Sequence, residues 1–426
     1  MNRRLFLGQS AALLGSSTLA SKLAFAHSNH DKAHVVVVGA GYGGATAARY
    51  IRLLSNGSIR VTVIEPNRDF ISCPLSNLVI GGNAQIQALT TPYEGLTKSH
   101  GIKLIHDTVT QIDPDKKSVR TAGGQSVSYD KLILAPGIGM NFDAIQGLAQ
   151  ANAAGVTLQA WKAGPETVAL HKQLADMPDG GVFALTIPLA PYRCPPGPYE
   201  RTCQVANYIK KHKPRSKIVV FDANEDVTSK GKLFKEVWAK EYAGLIEYRP
   251  QHNVTGVDAK TKTLKFELAD DFKADVLNVL PPMHAGNIVR QAGLANINNR
   301  WAQVKFLNFE SALAKDIHVV GDSIQVAPGM PKSGHMANQQ AKVTAAAIVC
   351  ELNDLEINPQ PVVTNTCYSF VNATDVVHVA SVHQYIAQEA TFKTVPGSGG
   401  LSTAPTALEG RYAWGWAHNI WHDTVG

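Results

Sequence analysis

His34-Val-Val-Val-Val-Gly-Ala-Gly-Tyr-Gly-Gly44 places a short β-branched apolar run directly before three spaced glycines. An apolar run of this length reads as a buried parallel strand. Ala45 to Leu54 then reads as a helix, and Ile59 to Ile64 as a second strand ending at Glu65. Strand, glycine turn, helix, strand and acid follow in the order of a dinucleotide-binding unit, with the acid about twenty residues beyond the last glycine. Each glycine has its own task. Gly39 permits the tight turn, Gly41 lets the backbone approach a pyrophosphate, and Gly44 lets the helix pack close to the strand. The phosphates would lie at the positive helix terminus, and Glu65 would accept bonds from ribose hydroxyls.

Two later segments extend this unit. Tyr129-Asp-Lys-Leu-Ile-Leu-Ala-Pro-Gly137 is a strand running into a Pro-Gly turn, and Asp316-Ile-His-Val-Val-Gly-Asp322 is a strand ending in Gly-Asp, followed by a helix over about 338–352. Asp322 is either a turn or cap aspartate or a ligand of the ribityl chain of FAD. Between these segments the layout repeats. Gly181 to Ile187 reads as a strand, Tyr199 to Lys211 as a helix and Lys217 to Phe221 as a strand. The connecting loop, Pro188-Leu-Ala-Pro-Tyr-Arg-Cys-Pro-Pro-Gly-Pro198, is filled with proline where a nucleotide site needs amides. Proline donates no N–H, so this second doubly wound unit is expected to have lost its NAD(P) site.

The chain of 426 residues carries a formal charge of +6. Met1-Asn-Arg-Arg-Leu-Phe-Leu-Gly8 and the mild apolar stretch to Ala24-Phe-Ala26 read as a twin-arginine export signal over 1–26, which predicts a periplasmic protein. Removing Arg3, Arg4 and Lys22 leaves a charge of +3. No Lys/Arg run with interleaved aromatics supports nucleic-acid binding, and no later segment is long and apolar enough to span a bilayer. Five cysteines are too few for a disulfide scaffold but allow one or two specific bridges in an oxidising compartment.

Three of those cysteines stand in distinctive settings. Cys73, in Phe70-Ile-Ser-Cys-Pro-Leu-Ser-Asn77, lies just behind the glycine fingerprint and is either a buried thiol or a covalent anchor for the cofactor. Cys194 is flanked by prolines, with Glu200 six residues on near a helix start. Glu200 is either a favourable first-turn acid or a group that orients a thiol-like substrate. Cys194 and Cys367 could form a structural bridge, a redox pair or no bond, because spacing does not prove pairing. Cys203 is a rival partner for Cys194, and Cys350 reads as a buried free thiol.

Ser72-Cys-Pro-Leu-Ser-Asn77, Arg193-Cys-Pro-Pro-Gly-Pro-Tyr-Glu-Arg201, Val320-Gly-Asp322, Pro331-Lys-Ser-Gly334, Asn365-Thr-Cys-Tyr-Ser369 and the aromatic end from Trp414-Gly-Trp416 together resemble the flavoprotein subunit of flavocytochrome c sulfide dehydrogenase. The resemblance implies an α/β fold, a glutathione-reductase-like flavoprotein with two dinucleotide-binding domains and a C-terminal α+β interface region. It divides the chain into an FAD domain over 33–155 and 286–355, a second domain over 156–285 and a C-terminal region over 356–426. It implies FAD bound as a thioether to Cys73, a redox disulfide between Cys194 and Cys367, Glu200 beside it and Trp416 near the flavin. Hydrosulfide would be the substrate and a c-type cytochrome subunit the partner. The haem would be on that partner, because this chain lacks Cys-x-x-Cys-His. No metal ligand set is expected. The alternatives are a sulfide:quinone oxidoreductase, an NAD(P)H-dependent flavin reductase or a flavin-loaded binding module without catalysis.

Overall fold

A computed structural model describes residues 33–426; the export signal expected over 1–26 lies outside the described residues. The first unit runs β1 (His34–Val38), α1 (Tyr42–Leu54), β2 (Arg60–Ile64), α2 (Ser76–Ile80), β3 (Lys103–Ile105) and β4 (Lys131–Leu134). A helix α3 (Pro165–Asp176) leads into the second unit, which runs β5 (Val182–Ile187), α4 (Gly197–His212), β6 (Lys217–Asp222), α5 (Gly231–Glu241), β7 (Ile246–Arg249) and β8 (Val276–Val279). The chain then returns through β9 (Ile317–Val319) and α6 (Gly334–Leu352). It ends in β10 (Val362–Phe370), β11 (Val376–Ile386), β12 (Thr391–Thr394) and α7 (Ala407–Val425).

The first sheet has parallel strands in the order β9-β4-β1-β2-β3, extended beyond β9 by the antiparallel ribbon of residues 304–311. The valines of β1 are buried on both faces, as the unbroken apolar run requires. Helices α1 and α6 pack against each other as two helices rich in small residues. The second sheet, β7-β6-β5-β8, is parallel throughout. The order of parallel strands and crossover helices makes this an α/β doubly wound protein with two dinucleotide-binding units.

Several boundaries differ from the sequence reading for local reasons. Helix α4 begins at Gly197, because Pro198 lies in the first turn, where its missing N–H costs nothing. Helix α6 begins at Gly334, four residues before the expected start, because Ser333 caps it by accepting the Met336 N–H at 3.0 Å. The last segment forms an antiparallel sheet, with β10 and β11 paired along nine residues, and a 19-residue helix α7 that packs against both α1 and β11.

Candidate functional site

The glycine turn carries the geometry of a phosphate cradle. Gly39 adopts φ +92°, and a Cβ there would lie 2.5 Å from the Ala135 carbonyl oxygen. A Cβ on Gly44 would collide with the Gly39 carbonyl, whereas one on Gly41 would meet only open space. Glu65 is buried beneath the turn and accepts the Ala40 N–H at 2.8 Å and the Asn67 N–H at 2.8 Å. Asp322 sits in a short 3-10 turn, partly buried, and its buried Oδ1 has no hydrogen-bond partner. Burial pushes its pKa up, partly offset by Arg193 and Lys332. An open approach at Gly41 and an orphaned carboxylate oxygen fit a dinucleotide whose hydroxyls satisfy Asp322. Gly39, Gly41, Gly44, Glu65 and Asp322 are the residues that would hold FAD.

The segments around this pocket are tied together by side chains. Tyr42 in the fingerprint bonds to Ser72 Oγ at 2.7 Å, and Trp421 of α7 donates to the same phenol at 2.9 Å. Cys73 follows Ser72, and its Sγ accepts the Ala163 N–H at 3.4 Å. Trp416 lies against His335, at the start of α6, with ring centroids 5.8 Å apart, and against Tyr368 at 6.0 Å.

Cys194 and Cys367 come from different elements, the proline-rich loop before α4 and the strand β10. Cys194 has a left-handed backbone, φ 57°, and its N–H donates to the Lys332 carbonyl at 2.8 Å. Lys332 Nζ in turn donates to the Asp322 carbonyl at 3.0 Å, so the proline-rich loop is attached to the turn that carries Asp322. Cys367 lies on β10, its Sγ beside Asn365, and Asn365 accepts from Ser333 Oγ at 2.6 Å. Both sulfurs are recorded as free thiols, so the bond implied by the resemblance is not formed in this structure. Adjacent residues tie them together, Lys332 holding Cys194 and Ser333 holding Asn365 beside the Cys367 sulfur. Burial pushes Cys194 up, and the charges of Cys367 and Glu200 add to the rise. Burial also raises Cys367, with Lys230 as the strongest opposing influence.

Glu200 influences both thiols but is not a free base. One carboxylate oxygen accepts Asn77 Nδ2 at 2.8 Å, and the other accepts the Phe370 N–H at 2.8 Å. Burial raises its pKa against those bonds. Cys203 is not placed as a partner for Cys194: it is a buried free thiol inside α4 that accepts the Trp238 indole N–H at 3.3 Å. Sequence reasoning missed Lys230, a buried lysine just before α5 that faces Cys367, Glu200 and Cys194. It belongs to a stretch of charged turns with no motif, and only its burial distinguishes it.

In the second unit the acid that ends the second strand is already satisfied by side chains. Asp222, at the end of β6, is fully buried and accepts Tyr199 Oη at 2.8 Å, Tyr248 Oη at 2.9 Å and the Asn224 N–H at 2.9 Å. Among the described residues no group of three or more His, Cys, Asp or Glu side chains is arranged to hold a metal, and no helix is long and apolar enough to cross a membrane.

Fold and site together define a flavoprotein oxidoreductase of the two-dinucleotide-domain class. Residues 33–164 match the pyridine nucleotide-disulphide oxidoreductase family. Residues 167–281 match the central domain of the sulfide dehydrogenase [flavocytochrome c] flavoprotein chain, and residues 359–425 match the flavocytochrome c sulphide dehydrogenase flavin-binding domain. The sulfide dehydrogenase [flavocytochrome c] flavoprotein chain of Chlorobaculum thiosulfatiphilum is 56% identical over 45 residues, 11% of this chain and 92% of that sequence. The chain belongs to the flavocytochrome c sulfide dehydrogenase flavoprotein family. It is also similar to the mitochondrial sulfide:quinone oxidoreductase of Dictyostelium discoideum, 25% identical over 356 residues, 80% of this chain and 72% of that one. The solved sulfide:quinone oxidoreductase of Aquifex aeolicus shares the fold with a TM-score of 0.74 at 20% identity, covering 92% of this chain and 91% of that one.

Proposed function

We propose that this protein oxidises hydrosulfide through Cys194 and Cys367, with FAD tethered at Cys73, and delivers the electrons to a c-type cytochrome subunit in the periplasm. The observation that supports the reading is that adjacent residues tie two sequence-remote cysteines together: Lys332 holds the Cys194 backbone, and Ser333 holds Asn365 beside the Cys367 sulfur, with the buried Lys230 ammonium on the Cys367 carbonyl.

In the oxidised enzyme the two sulfurs share a bond. Hydrosulfide attacks one of them, forming a persulfide there and releasing the other as a thiolate. A second hydrosulfide removes the outer sulfur as a disulfide anion and leaves two thiolates. Re-forming the Cys194–Cys367 bond releases one electron pair. Bound FAD supplies the two-electron acceptor and the conversion to one-electron steps. Glu200, held by Asn77 and the Phe370 N–H, keeps α4 and β10 in register so that the sulfurs stay opposed. Trp416 packs against His335 in the first turn of α6.

A quinone as acceptor is the second reading, favoured by the similarity to sulfide:quinone oxidoreductases over most of the chain. Adding sulfide to the purified FAD-loaded protein should bleach the flavin, and oxidised cytochrome c should restore its colour much faster than a short-chain ubiquinone. Faster reoxidation by the quinone would select the second reading. A flavin that sulfide leaves yellow would reject both.

A further inference from the structure

Lys230 is 6% exposed and holds a left-handed backbone, φ 58°, at the start of α5. Its ammonium donates to the Cys367 carbonyl at 3.0 Å, to Ser369 Oγ at 2.7 Å and to the Val377 carbonyl at 3.2 Å. These acceptors lie on β10 and β11, which pair Ser369 with Val377 and Cys367 with Val379. An ammonium has three N–H donors, and all three are engaged, so the side chain is held in one place. Among the described residues no carboxylate lies within ion-pair distance of it. Burying an unpaired cation is costly unless nearby groups carry compensating negative charge. The titratable groups that face it are Cys367 on β10, Glu200 and Cys203 on α4, Cys194 on the proline-rich loop and Glu409 on α7.

We infer that Lys230 is a positioning residue of this reaction, a fixed ammonium that stitches β10 to β11 at Cys367 and stabilises negative charge on the paired sulfurs. The inference rests on the sulfide-oxidation reading. It extends that reading by giving the buried cation a purpose in each step that leaves a thiolate. Burial draws the lysine down to about 8, so it is charged at neutral pH and loses its charge as the solution becomes more alkaline.

The test compares FAD-loaded wild type with Lys230→Met and Lys230→Arg. After reduction with dithiothreitol, iodoacetamide alkylation of Cys367 is followed against pH by peptide mass spectrometry. Sulfide-dependent bleaching is followed by stopped flow on oxidised samples. For Lys230→Met the alkylation midpoint should rise by at least one pH unit and bleaching at neutral pH should slow at least tenfold, with flavin content unchanged. Lys230→Arg should recover at least half of the midpoint shift. An unchanged midpoint and pH profile in Lys230→Met, with only a lower melting temperature, would overturn the inference. Should the Met variant not fold, the Arg variant decides. Its bleaching should persist at alkaline pH where the wild type declines, and coincident alkaline limbs would overturn the inference. If sulfide bleaches none of these proteins, the functional reading fails, while the alkylation midpoints still judge Lys230.

Discussion

Gly197 has no side chain because a Cβ there would lie 2.7 Å from the Trp161 ring and 3.0 Å from Cys194 Sγ. The sulfur therefore packs directly on the first turn of α4, with the backbone held by the Lys332 carbonyl on one side and the Gly197 N–H on the other. Such a sulfur has little freedom to move, so reaction with Cys367 depends on where the fold puts both. Replacing either Cys194 or Cys367 by serine should abolish sulfide-dependent bleaching while FAD stays bound; undiminished bleaching in both variants would reject the pair. Cys73 is a separate matter, because its thiol meets the Ala163 N–H and not the other two sulfurs. Acid precipitation of wild type should carry the flavin into the pellet, and Cys73→Ser should release it to the supernatant.

Helix α7 is the element least visible in the sequence, since its aromatic, histidine and acidic residues follow no clean apolar stripe. It is held by particular bonds. Thr406 caps it by accepting the Glu409 N–H at 3.1 Å, and Trp421 reaches the Tyr42 phenol. Asp423 accepts from Tyr50 Oη at 2.7 Å and Asn338 Nδ2 at 2.8 Å and pairs with Lys342 at 2.8 Å. Burial alone would raise the Asp423 carboxyl, but Lys342, Tyr50 and Asn338 outweigh it and hold the pKa below the usual range. A depressed folded-state pKa contributes stability above the unfolded value and loses it as pH falls through the folded one. With the side chain 28% exposed and the ion pair partly screened by solvent, that contribution is about 1 kcal/mol. Asp423→Asn should therefore lower urea stability by about that amount at neutral pH, and the gap should close in acid below the ordinary aspartate pKa. A gap that stays constant down to strongly acidic pH would show that the charge of Asp423 is not what holds the helix.

At the scale of the whole molecule, Arg201 locks the two doubly wound units together. It is fully buried and donates to Asn77 Oδ1 at 3.0 Å, Asn278 Oδ1 at 2.9 Å, the Gln159 carbonyl at 2.8 Å and the Ala160 carbonyl at 2.6 Å. Those partners belong to α2 of the first unit, β8 of the second and the segment between them. Its neighbour Glu200 takes the other end of the same Asn77. Arg201→Met would leave three buried acceptors unpaired, the Gln159 carbonyl keeping Asn278 Nδ2, and should cost about 3 kcal/mol or more, read by urea unfolding. A loss below about 1 kcal/mol would mean that the two units are held by packing alone.

The first βαβ unit was legible because a glycine turn, an acid and their flanking strands follow a local rule that fits within about thirty residues. Other features had no such signal. Asp222 filled by Tyr199 and Tyr248, the orphaned oxygen of Asp322 and the engaged ammonium of Lys230 are all consequences of burial among remote segments. The amino-acid order by itself determined two nucleotide-type units and a set of notable cysteines, because backbone periodicity and glycine placement act over short range. Only the tertiary structure decided which acid and which cation face the two sulfurs. Desolvation and charge proximity are properties of folded space, not of distance along the chain.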